Sequence, residues 1–211
     1  MGTPGGYNLR KKLKVLKYFP DFLSLALLNI KYEFPLLFNA NTGFELPNST
    51  SGGDSGYIWT NSSNIKVDDS NYASCEILSS YASSAELKGT NFSFNIPSSS
   101  TINGIEAQIK NLKITGWHRD HSVRLIKNGS VQGDNKASGA EWSTDGGTFT
   151  YGGSSILWNL TFSSSDINAS DFGLCLQTET QNGQGTGRVY FFKIKVYYTL
   201  PSVRRVLENK A

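Results

Sequence analysis

Two short motifs in the sequence contain the residue types of a phosphotransferase site. Asp171-Phe172-Gly173 has the spelling of the magnesium-binding triplet of protein kinases, and His118-Arg119-Asp120 has that of their catalytic loop. A kinase catalytic loop carries an Asn five residues after its Asp to hold a second magnesium, but this position is Leu125. No glycine-rich phosphate loop precedes the motifs, and 211 residues are short for two kinase lobes. The sequence argues against a phosphotransferase, and it predicts Phe172 as the first core residue of a strand.

Two further groups of residues suggest chemistry at first sight. Gly53-Asp54-Ser55-Gly56 has the spelling found around the serine of trypsin-like proteases, whose base histidine precedes the nucleophile, yet no histidine precedes His118. His118 and Asp120 share one face of a strand while His121 lies on the other, so the three side chains converge on a metal only if the chain turns there. A solvated loop after Trp117 is the favoured interpretation.

Carboxylates in the predicted loops do not have the spacing of an EF-hand calcium site, and no pair of them stands out as a glycosidase acid and base. The loop carboxylates are Asp68, Asp69, Asp134, Glu141 and Asp145. We therefore predict no catalytic residue, no cofactor and no metal ligand, and we expect that the protein is not an enzyme.

Composition favours β structure for the elements that must position these residues. The chain contains 21 Gly, 12 Phe, 10 Tyr and 4 Trp, and only 18% of its residues are charged. Cys75 and Cys175 are too few for a disulfide scaffold; two buried thiols are favoured, and one bridge between strands is the alternative. The tryptophans are predicted to lie mainly in the core, with Trp142, in a loop-rich stretch, as the candidate for exposure.

The charge is concentrated at the two ends of the chain. Residues 1 to 20 have a net charge of +5, and residues 201 to 211 have a net charge of +2. Because the net charge of the whole chain is +3, the residues between these two segments have a net charge of −4. Basic segments of this kind usually attach to an acidic surface. We predict that residues 1–50 form a basic, apolar docking arm that is extended or partly helical. Its proposed contact residues are Arg10, Lys11, Lys12, Lys14, Lys17, Phe22, Leu25 and Leu28.

The apolar part of this arm is too short and too charged to span a bilayer, and no secretory signal opens the chain. Residues 48 to 56, NSTSGGDSG, have the composition of a flexible linker. The predicted organisation is therefore an arm over 1–50, a sandwich domain over 51–200 and a basic tail over 201–211.

Period-two alternation dominates the sequence from Tyr57 onward. Predicted strands include NFSFNIP (residues 91 to 97), INGIEAQI (102 to 109) with a β-bulge after it at Lys110-Asn111, and His121 to Ile126 followed by a tight Asn128-Gly129 turn. SSILWNLTF (154 to 162), the strand containing Phe172 and the final VYFFKIKVYY (189 to 198) complete the set. About eight short strands predict an all-β, antiparallel β-sandwich of jelly-roll type.

Residues 57 to 199 as a whole resemble a β-sandwich module of structural proteins from tailed bacteriophages and related viruses. The resemblance rests on FSFNIPSSSTINGI, on INASDFG and on the closing VYYT, in that order. It implies assembly and not turnover: a virion protein of the capsid, neck or tail, with other virion proteins and copies of itself as partners. Nucleic acid is not an expected partner.

The alternative function is a carbohydrate- or host-receptor-binding module of a viral appendage. In this hypothesis exposed tryptophans and loop carboxylates form the site, and Trp142 is the candidate contact with a surface glycan.

Overall fold

The two longest strands of the protein bury every second side chain along most of their length. Ile105, Ala107 and Ile109 of one strand and Ile194 and Val196 of the other are fully buried. A sheet with one apolar face needs a second layer to cover it. In the computed structural model, which describes residues 38–200, a second sheet supplies this layer. The predicted antiparallel β-sandwich is confirmed.

Ten strands and two short helices form this part of the chain. The helices are a 3-10 helix, Ser62–Lys66, and α1, Ser164–Asn168. The strands are β1 (Asn39–Asn41), β2 (Ser49–Ser51), β3 (Ala73–Ile77), β4 (Leu87–Thr90), β5 (Thr101–Thr115), β6 (Arg119–Lys127), β7 (Ser130–Gln132), β8 (Gly147–Gly153), β9 (Gly173–Glu179) and β10 (Gly185–Thr199).

The strand order is that of a jelly roll. Sheet A contains β3-β10-β5-β8, and β1 pairs with the far end of β10 on the same edge as β3. Sheet B has the order β2-β4-β9-β6-β7. Successive strands lie in opposite sheets at every step except the β6-β7 hairpin, so β3 to β10 form the two four-stranded sheets of this fold.

The space between the sheets is filled mainly by aromatic and branched side chains, as the sequence predicts. Trp158, Phe172 and Phe192 are among the largest fully buried side chains. Cys75 and Cys175 are buried free thiols in different sheets, and burial raises the pKa of both to about 12. The favoured interpretation of the cysteines is confirmed, and both thiols are unreactive near neutral pH.

Two predicted strands are absent from the ladders of residues 38–200. Phe92, Phe94 and Ile96 are buried in alternation, but Asn91 before them and Ser93 among them have left-handed φ angles of 57° and 54° that prevent strand pairing. Residues 154–162 are irregular for the same reason. There Trp158, at φ 56°, turns into the core and donates its indole N–H to the Ile105 carbonyl at 3.0 Å.

A β-bulge is present next to Lys110 and Asn111, but it lies on the paired strand β10 and not on β5 as predicted. Phe191 pairs with Lys110 and Val189 with Asn111, so the extra residue is Tyr190 of β10 and not a residue of β5. The inner face of β5 continues through Asn111, which is 1% exposed. The bulge thus turns Tyr190 out of the regular alternation of β10.

The sandwich begins earlier in the chain than predicted. β1 pairs with the end of β10, and β2 pairs with β4 through Ser49–Ser51. The predicted linker over residues 48 to 56 and the boundary at residue 50 are therefore wrong, because backbone pairing fixes a segment whose composition suggests flexibility. The arm residues Arg10, Lys11, Lys12, Lys14, Lys17, Phe22, Leu25 and Leu28 lie outside the described residues. Within residues 38–200, no helix has the length and apolar character needed to cross a membrane.

Candidate functional site

The two kinase-like motifs lie at opposite ends of the β6-β9 ladder. Asp120 pairs with Thr178 near one end, whereas the ladder ends at the pairing of Ile126 with Gly173. Asp171 is exposed just beyond that second end, and Phe172 is 0% exposed. The two carboxylates are thus separated by about 20 Å of strand and share no site. The prediction that Phe172 marks the start of a core strand is confirmed.

His118 and Asp120 lie in the interior, so the predicted solvated loop at this position is wrong. Alternation on β6 turns both side chains inward and leaves His121 exposed. Asp120 accepts hydrogen bonds from the Trp142 indole at 2.9 Å and from the Tyr151 hydroxyl at 2.7 Å. His118 Nε2 lies 2.9 Å from Thr178 Oγ1. These bonds satisfy Asp120 and one ring nitrogen of His118, whereas His118 Nδ1 has no hydrogen-bond partner within residues 38–200.

Burial dominates the protonation of this interior pair. It raises the pKa of Asp120 above its usual range, although the hydrogen bonds from Tyr151 and Trp142 act in the opposite direction. Burial also lowers the pKa of His118 to about 4, so the imidazole is neutral at pH 7. Neither group reaches solvent, so they serve as structural elements of the core and not as an active site.

Trp142 is 2% exposed, so its predicted contact with a glycan is wrong. The loop that carries Trp142 folds its indole against His118, with ring centroids 5.1 Å apart, because Asp120 binds the indole N–H from inside. Trp59 and Trp158 are buried as well, as predicted for tryptophans in a β-sandwich. Trp117 is half-buried and contacts the Arg119 guanidinium 4.8 Å from its ring centroid.

Half-buried aromatic side chains are instead grouped on the outer face of sheet A. Along β10 the outward positions carry Arg188, Tyr190, Lys193, Lys195 and Tyr197, because alternation sends the intervening residues into the core. We call these side chains, together with Tyr72 and Lys110 beside them, the sheet-A face.

Two tyrosines form the centre of the sheet-A face. Tyr72 and Tyr190 are both half-buried and meet edge to face, with ring centroids 5.8 Å apart. The Arg188 guanidinium lies 3.9 Å from the centroid of the Tyr72 ring, and Lys110 Nζ lies 5.2 Å from that of Tyr190. This arrangement combines two aromatic rings and two cations on a rigid strand pair.

A groove of about 510 Å³ opens beside this aromatic pair. Residues 68–70 form one wall, residues 145–148 form the other, and residues 110–112 with Tyr190 form the floor. We call it the sheet-A groove. Its lining includes three carboxylates, at Asp68, Asp69 and Asp145, and one ammonium group, at Lys110. A volume of this size is typical of sites that hold a small ligand or part of a polymer.

No group of three His, Cys, Asp or Glu side chains in residues 38–200 is arranged to hold a metal ion. Asp68 pairs with Lys193 at 2.7 Å, and the two oxygens of Asp69 accept hydrogen bonds from the backbone and side chain of Asn71. The groove therefore offers hydrogen-bonding groups and aromatic surface to a polar ligand.

Four residues of this site are not predicted from the sequence: Tyr72, Lys110, Arg188 and Tyr190. The available signal was the stretch RVYFFK (residues 188 to 193), in which aromatic residues at consecutive positions break strict alternation. Its functional meaning depends on the bulge and on strand pairing that brings Tyr72 to the same face.

No family model matches this chain, and no curated protein matches its sequence. Three solved structures are similar to this chain at low sequence identity. The CBM22-1 xylan-binding domain of Paenibacillus barcinonensis Xyn10C has 12% identity and a TM-score of 0.31. The alignment covers 79% of this chain and 97% of that domain. A second, described as "CBM4 structure and function", has 10% identity and a TM-score of 0.31 over 76% and 92% of the chains. The N-terminal cellulose-binding domain of Cellulomonas fimi β-1,4-glucanase C has 8% identity and a TM-score of 0.33 over 77% and 91%. Similarity of this degree does not identify a ligand for the present chain.

Proposed function

We propose that the protein is a glycan-binding module that holds sugar rings in the sheet-A groove. The observation that carries this proposal is the Tyr72-Tyr190 pair, which presents aromatic surface on the outside of a sheet, next to a groove lined by carboxylates and an ammonium group. Contiguous aromatic surface that stays partly exposed on a rigid face is typical of a site for a ligand or a partner.

The chemistry of the groove matches the two kinds of surface on a sugar. A pyranose ring has C–H groups on its faces, which stack on a tyrosine ring, and hydroxyl groups at its rim, which both donate and accept hydrogen bonds. Asp145 is exposed on one wall and accepts from hydroxyl groups, while Lys110 donates to them from the floor. Few polar groups around an apolar contact are typical of ligand sites.

Strand pairing makes this site rigid before any ligand arrives. Tyr190 and Lys110 belong to β10 and β5, which pair over most of their fifteen residues each. Ligand binding therefore does not have to order the backbone that carries the site, and this saves conformational entropy.

A glycan array followed by calorimetry on the best glycan tests this function. We expect the full chain to bind, and we expect Tyr190→Ala to lose at least about tenfold in affinity, equivalent to about 1.4 kcal/mol. Tyr81→Ala is the matched control, because Tyr81 is 76% exposed and does not line the groove. Absence of binding to every glycan, or equal affinity of Tyr190→Ala and the parent, would contradict the proposal.

A second candidate function is a structural component of a virus particle, which the sequence resemblance implies. The observation that favours it is the position of the two basic extensions. The backbone N–H of Leu200 donates to the Phe38 carbonyl at 2.9 Å, so the two ends of the described chain, to which residues 1–37 and 201–211 are attached, lie side by side. Both segments have a net positive charge. Two basic segments joined to neighbouring ends suit attachment to an acidic surface of a partner protein.

Deletion of residues 1–36 tests this second function, because it spares the pairing of β1 with β10. If the protein is a virion component, particles assembled with the deleted chain should contain much less of it than particles with the full chain. Tyr190→Ala serves as the control and should be incorporated normally. Full incorporation of the deleted chain would argue against an attachment role for the arm.

A further inference from the structure

Two cations at the sheet-A groove differ from the others on the same face. Lys193 pairs with Asp68 at 2.7 Å, and Lys195 pairs with Glu106 at 3.1 Å. In the part of the chain that the structure describes, Arg188 and Lys110 form no ion pair with a carboxylate. Both contact the Tyr72-Tyr190 pair, so two uncompensated positive charges lie beside the aromatic surface.

Arg188 is held in a geometry that leaves its donors free. Its guanidinium stacks on Tyr72, and its buried Nε has no hydrogen-bond partner within residues 38–200. A guanidinium that stacks through its face keeps its N–H groups at its edge, where they bind a planar anion through two parallel hydrogen bonds. A buried donor without a partner is uncommon in folded proteins, so Arg188 has an unused hydrogen-bond donor beside the tyrosine pair.

The carboxylates near the groove do not supply this partner. Asp68 is neutralised by Lys193, and Asp69 is hydrogen-bonded through both oxygens to Asn71. Glu76, which lies two residues beyond the Arg188 partner Ser74 on β3, makes no ion pair with Arg188. Asp145 lies on the opposite wall from residues 68–70. The two unpaired cations thus lie at the tyrosine pair, whereas within residues 38–200 neither Asp145 nor Asp69 forms an ion pair, and the bonds of Asp69 to the neutral Asn71 leave its charge in place.

We infer that the ligand is an acidic glycan, whose carboxylate or sulfate group binds between Arg188 and Lys110 while its hydroxyl groups face Asp145. This inference rests on the proposed glycan-binding function and names the chemical class of its ligand. Arg188 binds the anion through its N–H edge, and Lys110 adds a second charge from the neighbouring strand. The tyrosine rings contact the apolar face of the same sugar.

Binding to glycans that differ only in charge tests this inference with the full chain. One pair is oligogalacturonate and its methyl ester, and the other is a sulfated galactan oligosaccharide and its desulfated form, so that the two anionic groups are distinguished. The same comparison is made for every matched pair on a glycan array. We expect the charged member of at least one pair to bind about tenfold more tightly or better.

Substitutions at the two cations identify the source of this preference. Arg188→Gln should abolish the preference for the charged glycan, and Lys110→Gln should reduce it. Arg124→Gln, on the outer face of sheet B, should leave this preference unchanged. Arg188→Lys, which keeps the charge but not the planar fork, should retain part of it. Equal affinity for charged and neutral members, or a preference that survives both Gln substitutions, would overturn the inference alone. Absence of binding to every glycan would overturn the proposed function and this inference together.

Discussion

Aromatic side chains occupy two regions of this sandwich, and the regions differ in what the rings touch. Between the sheets, Trp142 and Trp158 are almost fully buried, and their indole N–H groups are bonded to Asp120 and to the Ile105 carbonyl. On the sheet-A face, Tyr72 and Tyr190 are half-buried and contact each other and two cations. Whether the backbone turns a ring into the core or toward the outer face therefore decides whether the ring stabilises the fold or is available to a ligand.

Polar groups show the same difference between the regions. Asp120 and His118 are desolvated, so a lost partner or an added proton acts directly on stability. The cations of the sheet-A face reach solvent, where water replaces a lost contact. Substitutions in the interior should therefore change the free energy of unfolding, and substitutions on the face should change ligand affinity.

The largest effect is expected from Trp158→Ala. Trp158 is 0% exposed, and its removal leaves a large cavity and an unpaired carbonyl at Ile105. We expect a loss of about 3–5 kcal/mol in the free energy of unfolding, measured by urea denaturation. Trp117→Ala is the control, since Trp117 is only half-buried. Similar losses for the two variants would break the distinction between buried and exposed rings.

Acid should destabilise the interior through His118. A free histidine binds a proton near pH 6.5, whereas the pKa of His118 in the fold is about 4. Between these values the unfolded chain binds the proton and the folded chain does not, so stability falls as the pH drops from 6.5 towards 4, by up to about 3 kcal/mol. Asp120 opposes this fall, because its raised pKa favours the folded state as the carboxylate takes up a proton.

His118→Gln isolates this contribution. Urea denaturation of the parent and the variant between pH 7 and pH 4 should show a much flatter pH dependence for the variant. His121→Gln, at an exposed position of the same strand, provides the comparison. A parent protein whose stability does not change over this range would contradict the buried, neutral state of His118.

Trp142→Phe should have a smaller effect. The phenyl ring keeps most of the packing but leaves Asp120 Oδ1 without the indole donor. An unsatisfied buried acceptor costs about 1–3 kcal/mol, which denaturation would detect. A variant as stable as the parent would show that water or a rearranged side chain replaces the lost bond.

Tyr190→Ala should have the smallest effect on stability. Tyr190 lies at a bulge on the outer face, so we expect its substitution to change the free energy of unfolding by no more than about 0.5 kcal/mol. A large loss of stability would show that the outer ring is structural and would remove the distinction between the two regions. Circular dichroism during thermal unfolding provides the measurement.

The sequence predicts the fold class well because side chains alternate between the buried and the exposed face of each strand. The alternation of Phe192, Ile194 and Val196 with Lys193 and Lys195 identifies β10 and its two faces, and it requires no tertiary information. The predicted turn at Asn128-Gly129 is confirmed, with φ angles of 51° and 70°. Alternation alone does not reveal backbone pairing, so residues 91–97 resemble a strand although left-handed residues interrupt them.

The candidate site is much harder to predict than the fold. Tyr72 and Arg188 are more than a hundred residues apart in sequence and come together only because β3 pairs with β10. Trp142 illustrates the opposite difficulty, since its loop sequence suggests exposure while a buried carboxylate holds its indole inside. Long-range pairing and buried polar partners leave no local pattern, so composition cannot indicate them.

The central position of β10 in sheet A determines the order in which the fold can form. β10 follows every other strand of the sandwich in the chain, yet it pairs with β1, β3 and β5. During synthesis, β5 can pair with β8, but β1 and β3 join sheet A only after residues 185–199 are made, and until then β5 exposes an unpaired edge and a row of isoleucines. Such long-range pairing makes folding slow and favours aggregation of incomplete chains. A truncation before residue 185 should consequently leave β1 and β3 without their partner in sheet A and not merely remove its final strand.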